Sequence, residues 1–311
     1  MGSHYQSAGW CGGKVAYCTP PNWTKRAERE VNVPCFELTH ARHDHMHCLA
    51  PGLFRAIAPG QRRRDKLDAV YRFGGGNQIE FSGPEPLGAD DLRVLQGLVA
   101  LAGVEEYSAI IEPIAATGEG NSLRTLLEPR WAANQQRVLV VKSSLHKLAK
   151  EIGYANPRDT NTVRRCVERL WKVSVIAQVA GQRSGFRLLA NYSSDALTDG
   201  LFVALNPLLT SAIMGSGRHV RIDMTEVRRL SGCITRLLHQ RLCAWVDVGQ
   251  SRTVQLDTLV AYVFPEEASM ATHRKRQSRV RKALNELAEL GWSISEHAKG
   301  RFTIGRPALS R

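Results

Sequence analysis

ATHRKRQSRVRKALNELAELGW, residues 271–292, decides how the rest of the chain is read. Val280, Ala283, Leu284 and Leu287 recur at helical spacing and make one apolar stripe. Arg274, Ser278, Arg281 and Asn285 fall on the opposite face, with Lys275 and Lys282 alongside. The spacing predicts a helix over residues 271–290 that rests on a core and turns a basic face outward, the surface a groove-reading helix needs. Gly291 stops it, and residues 292–296 and 301–304 read as a hairpin around Gly300. Just upstream, Leu256, Leu259, Val260 and Val263 share a face of a shorter helix that ends before Pro265.

The same order occurs earlier in the chain. Leu145, Leu148, Ala149 and Ile152 lie at i, i+3, i+4 and i+7, and Gly153 ends that helix. After Pro157 a second helix is expected from about residue 159, with Val163, Cys166, Val167 and Leu170 inward and Trp171 at its end. Its outer face carries Asn161, Arg164, Arg165 and Arg169. Residues 173–179 and 186–192, joined across the glycine-bearing stretch 181–185, read as a hairpin, so Trp171 and Trp292 hold equivalent places. Either copy alone is equally well read as a solvated amphipathic pair. Agreement of two copies in order, stop signals and hairpin position favours a duplicated helix-turn-helix with a wing. The expected fold class is α+β, mainly helical, with two tandem winged-helix domains at 39–198 and 199–311 after a flexible leader at 1–38.

Further elements follow from local signals. Residues 67–73 and 78–81 read as a hairpin turned by three glycines, and Asp90 caps a helix with Leu92, Leu95, Val99 and Ala102 on one face. Residues 111–120 read as loop and 193–199 as a polar connector. Residues 201–205 and 219–222 look like strands. Pro207 and Asp223 open helices, and residues 234–245 form another.

The 311 residues include 42 Lys and Arg against 29 Asp and Glu, a net charge of +13. That balance favours an acidic partner, since each phosphate neutralised releases a condensed counterion. An anionic membrane surface would suit the charge equally. However, the densest basic cluster, residues 274–282, lies on a helix whose apolar face is needed for a core, which leaves nothing to insert into lipid. Double-stranded DNA is therefore the expected partner, and no membrane is. No run approaches the ~18–20 apolar residues of a span, no signal peptide is evident, and a cytoplasmic location is expected. Seven cysteines, an odd number, with Cys166 and Cys243 on apolar helix faces, argue against a disulfide framework.

Catalytic chemistry finds little support. No G-x-x-x-x-G-K-[ST] string occurs, and Gly74-Gly75-Gly76 lacks the helix a phosphate cradle needs. Adjacent acidic pairs such as Asp90-Asp91 diverge and read as caps. The strongest rival signal is the His40–Cys48 cluster, in which His45-Met46-His47 matches the His-hydrophobic-His pattern that relaxases use, on a strand, to hold a divalent cation. Three residues in a His-rich stretch are weak evidence, and ordinary polar contacts are the favoured reading. No enzyme activity, catalytic residue, cofactor or metal is expected.

Longer strings carry a family resemblance: HCLAPGLFRA from His47, IEFSGPEPLGADDLRVLQGLVALAG from Ile79, LAKEIG from Leu148, ERLWKVSVIAQ from Glu168, VALNPL from Val203, RLLHQRLCAW from Arg236 and RVRKALNELAELGW from Arg279. Across residues 40–307 the chain resembles the IncQ-type plasmid replication initiators of the RepC family. The segment before His40 and the His45-Met46 pair fall outside the resemblance. It implies an initiator that binds directly repeated iterons in a vegetative origin, opens a neighbouring A·T-rich segment, and lets plasmid-encoded helicase and primase load. Self-association or helicase docking is expected over residues 90–141.

On this reading the helices starting near residues 159 and 271 enter major grooves about one turn apart. Asn161, Arg165, Arg274, Ser278, Arg281 and Asn285 are the candidates for base edges, because Arg pairs well with guanine and Asn with adenine. Arg164, Arg169, Lys275 and Lys282 are candidates for phosphates. Arg183 in the first wing, and Lys299 and Arg301 in the second, are candidates for the adjacent backbone or minor groove. A transcriptional repressor would share these features, differing only in where its sites lie.

Overall fold

Strand is almost as abundant as helix. The computed structural model describes residues 36–58, 60–111, 118, 138–154, 156, 160–195, 199–216 and 218–308, of which 41% are helical and 32% in strand. The named strands pair antiparallel in four sheets, so the fold is α+β but not mainly helical, contrary to the expectation. The miscount has a physical origin. Strand β1 (His40–Asp44) buries Ala41, His43 and Asp44, so its inward residues are largely polar and show no apolar alternation. Strand β4 (Ser108–Ile111) has only four residues, and β8 (Leu189–Ser194) runs into the stretch read as connector.

Strands β2 (Leu67–Phe73) and β3 (Asn77–Gly83) form the expected glycine-turned hairpin. They are joined by β6 (Ser174–Val179) and β7 (Gln182–Arg187) in the order β2-β3-β6-β7. Helix α1 (His45–Leu49) follows β1 directly. Helix α2 (Ala89–Ala102) is the central element, buried at every residue from Asp91 to Ala102. It packs against α3 (Leu145–Glu151), α4 (Thr160–Trp171) and, from the second half, α7 (Cys233–Trp245). Gly97 permits the approach of α3, because a Cβ there would lie 2.3 Å from Ile152 Cγ2 and 2.7 Å from Leu148 Cδ1.

Strand β5 (Val138–Ser144) leads into α3 and sits between β4 and β9 (Gly200–Leu205), with β8 beyond. Helix α5 (Pro207–Ile213) is capped by Asn206. Strand β10 (His219–Asp223) pairs along its length with β1, His40 opposite Asp223. Helix α6 (Met224–Arg229) precedes α7. The chain closes with β11 (Ser251–Gln255), α8 (Leu256–Val263), α9 (Met270–Ala288), β12 (Ser293–Ala298) and β13 (Arg301–Gly305).

Two of the four sheets are thus built from strands on both sides of residues 198 and 199. The described residues from Phe36 onward form one compact unit. Most of the expected leader lies outside the described residues. Its last residues are packed: Leu38 is buried, and the backbone N–H groups of Glu37 and Leu38 both donate to buried Glu151 at 3.1 Å.

Candidate nucleic-acid interface

The second helix pair follows the sequence closely. Ser269 caps α9 by accepting from the Thr272 N–H at 3.4 Å, and Val280, Ala283, Leu284 and Leu287 are its buried residues. Asp257, at the start of α8, accepts from His273 at 2.9 Å and Gln277 at 2.7 Å. These bonds, Gln277 first, hold its carboxyl below the usual aspartate range and lock the two helices together. Behind them, β13 lies between β11 and β12, and the hairpin turns at Lys299 and Gly300, the latter at φ +82°.

On the outer face of α9, Arg274, Lys275, Ser278, Lys282 and Asn285 are exposed. Arg281 behaves differently. Its guanidinium bonds Glu296 of β12 at 3.0 Å and lies over the Phe302 ring at 5.9 Å. Glu296 also accepts from the Gly300 N–H at 2.7 Å, so the carboxylate ties helix, strand and turn into one piece. Its own ionisation is favoured first by Arg281 and then by that N–H. Arg279, which the sequence reading passed over, is exposed beside Lys275 and Lys282 at the same i, i+4, i+7 spacing; that spacing was the available signal. A cleft of about 660 Å³ flanks the helix, lined by Arg64, Lys275, Arg276 and Arg279 together with Asp65 and Glu266.

The first pair departs further. Asn161 and Arg165 are exposed on α4, while Arg164 is half-buried with its Nε enclosed and unpartnered. Arg169, expected at phosphate, turns inward. Its Nε donates to Asp91 at 2.7 Å, its side chain is 14% exposed, and the Asp91 carboxylate it meets is fully buried. The charge of that residue is spent on the interior, because burying Asp91 without a cation would be costly.

The expected wing of residues 173–192 is also divided. The return strand is β7, reached through a two-residue turn at Ala180 (φ 50°) and Gly181 (φ 79°), and Arg183 lies in that strand opposite Gln178. Two successive left-handed residues are the geometry of a tight type I′ turn. Residues 189–194 instead form β8, in another sheet. The hairpin edges the β2-β3 sheet, unlike the second wing, and β5 pairs with β4 and β9 where β11 pairs with the hairpin itself. Arg183 is 59% exposed with Glu80 at 3.6 Å, and Arg187, not foreseen, stacks at 4.4 Å on Trp171. Lys299 and Arg301 are exposed at the tip of the second hairpin.

The His-hydrophobic-His pattern does not form on a strand. Asp44 caps α1, accepting from the His47 N–H at 3.0 Å and bonding His47 Nδ1 at 2.5 Å. Two residues apart on a helix, His45 and His47 point to opposite sides. His47 is buried beside Asn206, and burial together with the adjacent His47 pushes the His43 pKa down to about 4.

Among the described residues, the group that could hold a metal ion is Glu226, His239 and Cys243, whose donor atoms lie within 4.8 Å of one another. These atoms bond each other: His239 Nε2 is 2.6 Å from Glu226 and 3.4 Å from Cys243. Trp292 Nε1 donates to the second Glu226 oxygen at 3.3 Å. His239 Nδ1 is buried without a partner, whereas a metal-bound imidazole is normally held through its other nitrogen. The cluster therefore reads as a tie between Trp292 and helices α6 and α7. Its spacing on α7 was visible in sequence, but the Glu226 partner was not.

The described residues contain no helix long and apolar enough to cross a membrane. In comparisons with solved structures, the chain is similar to the selenomethionine derivative of domains 2 and 3 of RctB. The TM-score is 0.51 at 12% identity, covering 84% of this chain and 97% of that one, a likeness of fold. None of the curated proteins compared with it matches. The profile of replication protein C, RepC, matches residues 35–308, a range that takes in every described residue. The chain belongs to the replication protein C family, and its role is in the initiation of DNA replication, which implies binding to origin DNA.

Proposed function

We propose that this protein initiates plasmid replication by binding directly repeated iterons in a vegetative origin with two winged helices held in one body. The observation that carries the reading is the pair of helix-helix-hairpin units, α3-α4-β6-β7 and α8-α9-β12-β13, each presenting exposed Arg and Asn on its second helix. Asn161 and Arg165 on α4, and Arg274, Ser278, Arg281 and Asn285 on α9, read base edges. Arg281 is preorganised for that task by Glu296, which fixes its fork before DNA arrives. Lys275, Arg279, Lys282 and Arg164 hold phosphates, and Arg183, Lys299 and Arg301 extend the contact to the neighbouring backbone or minor groove.

The protein acts without catalysis. Strand opening at the A·T-rich segment draws on the binding energy of several protomers, and the opened segment receives plasmid-encoded helicase and primase in the bacterial cytoplasm. Self-association and helicase docking are assigned to the part of the 90–141 stretch that follows the buried helix α2, much of which lies outside the described residues.

The test is a titration onto fluorescent duplexes carrying one iteron or a shuffled sequence, at two salt concentrations, with and without chelator. The reading expects ~10³-fold or greater preference for the iteron, insensitivity to chelator, and a slope of log affinity against log salt near −7 for ~8 phosphates. Equal affinity for both duplexes removes it, as does a metal-dependent nick in the origin strand.

A further inference from the structure

One short segment joins the second helix pair to α2, on which the first pair packs. Phe54 forms a parallel bridge with Leu87, and the Arg55 N–H donates to the Leu87 carbonyl at 3.0 Å, immediately before α2, on which α4 packs. One residue on, the Ala56 N–H donates to the carbonyl of Val263, the last residue of α8, at 2.9 Å. Side chains extend the bridge in both directions. Toward the first pair, Arg62 bonds one oxygen of Asp91 at 2.9 Å while Arg169 of α4 takes the other at 2.7 Å. Toward the second, Arg55 at 3.2 Å and Gln61 at 3.3 Å share one oxygen of Glu266, and Arg276 of α9 donates to the Glu266 carbonyl at 2.5 Å. Asp65 closes the loop on itself, accepting from Gln61 at 2.8 Å and Arg55 at 3.3 Å.

We infer that residues 54–58 and 60–65 form a bracket that fixes the separation and rotational setting of the two DNA-reading helices, with Arg62 and Glu266 as positioning residues, so that the protein selects the spacing between the half-sites it binds. The inference rests on the two-helix reading proposed above. Its physical basis is stiffness. Asp91 is fully buried and Arg55, Arg169 and Arg276 are 13%, 14% and 16% exposed, so their bonds are little screened by salt and their geometry is held from several sides. DNA makes that stiffness selective. One inserted base pair turns the following half-site by roughly 35° about the duplex axis, since a helical turn holds ~10 to 10.5 base pairs.

The experiment uses the full chain with Glu266→Gln and, separately, Arg62→Gln. Both side chains are about 30% exposed, 31% for Glu266 and 29% for Arg62, and urea unfolding verifies that each variant is folded. Affinity is measured for an intact site, for sites with one and five base pairs inserted between the half-sites, and for sites with either half scrambled. The wild-type chain should lose about tenfold or more on a one-base-pair insertion, against about threefold or less in the variants, while affinity for the intact site changes by under ~3-fold. A wild-type spacing penalty retained by both folded variants overturns the bracket. So does a wild-type chain that tolerates the insertion. In that second case, scrambling one half-site separates the causes: lost affinity leaves the two-helix reading standing, and unchanged affinity removes that reading too.

Discussion

Replacing Arg169 by Ala should damage the fold and spare DNA binding. Asp91 is wholly buried, and its carboxylate is held by Arg169 at 2.7 Å, Arg62 at 2.9 Å and the Gly88 N–H at 2.8 Å. Breaking a buried ion pair from one side typically costs ~3–5 kcal/mol, because the remaining charge is left without compensation. Here Arg62 and Gly88 still satisfy one oxygen, so the expected loss is smaller, ~2–4 kcal/mol. With an m-value of roughly 3 kcal/mol/M, the urea midpoint should fall by about 1 M with m unchanged. Adding Asp91→Asn to the variant removes the stranded charge and should recover part of the loss. Below the transition, affinity for the iteron duplex should stay within about twofold of wild type. A variant with the wild-type midpoint, weaker binding and a salt slope reduced by about one would show Arg169 to be a phosphate contact after all, and would refute the assignment of its charge to Asp91.

Arg281→Ala should cost ~1–3 kcal/mol of binding and relax preference at one base position, whereas Lys282→Ala should weaken cognate and random DNA alike; equal losses on both DNAs for Arg281→Ala would take it out of the reading set. His43, with its pKa lowered from 6.5 to about 4 by burial and by His47, favours the folded state in its neutral form. Its contribution is complete above pH 6.5 and is lost as the pH falls toward 4, a loss approaching ~3 kcal/mol. His43→Asn should flatten that part of the urea-midpoint profile, and an unchanged profile counts against it. Gly97→Ala places a methyl group against Ile152 and Leu148 at the α2–α3 crossing and should destabilise by ~1–3 kcal/mol; a neutral effect on the thermal midpoint would mean the crossing is looser than described.

The parts of the fold that were legible in the sequence are those fixed by neighbours along the chain. The α9 stripe from Val280 to Leu287, its stop at Gly291 and the turn at Gly300 all depend on local spacing and backbone preference, and the structure places them where the pattern does. What escaped depends on partners far away. Nothing near Arg169 announces Asp91, which is 78 residues distant, so the residue reads as one more outward cation. In the first hairpin, two glycines at 181 and 185 suggested a long turn, but the reversal is made by Ala180 and Gly181, and Gly185 lies inside β7. By residue type alone the His45-Met46-His47 pattern suits a metal-holding strand, whereas the cap supplied by Asp44 makes the segment helical and separates the two rings. Strand β1 needed β10 to be recognised at all.

The exchange of strands between the two halves changes what a break in the chain can do. β1 is zipped to β10 and β5 to β9, so strands from the first half of the chain share ladders with strands from the second. A chain divided between β8 and β9 would leave two fragments interleaved like clasped fingers, each supplying ladder bonds the other lacks. Such a divided protein should migrate as one species under native conditions and separate only on denaturation, and either half produced alone would expose strand edges that lack their partners and should associate.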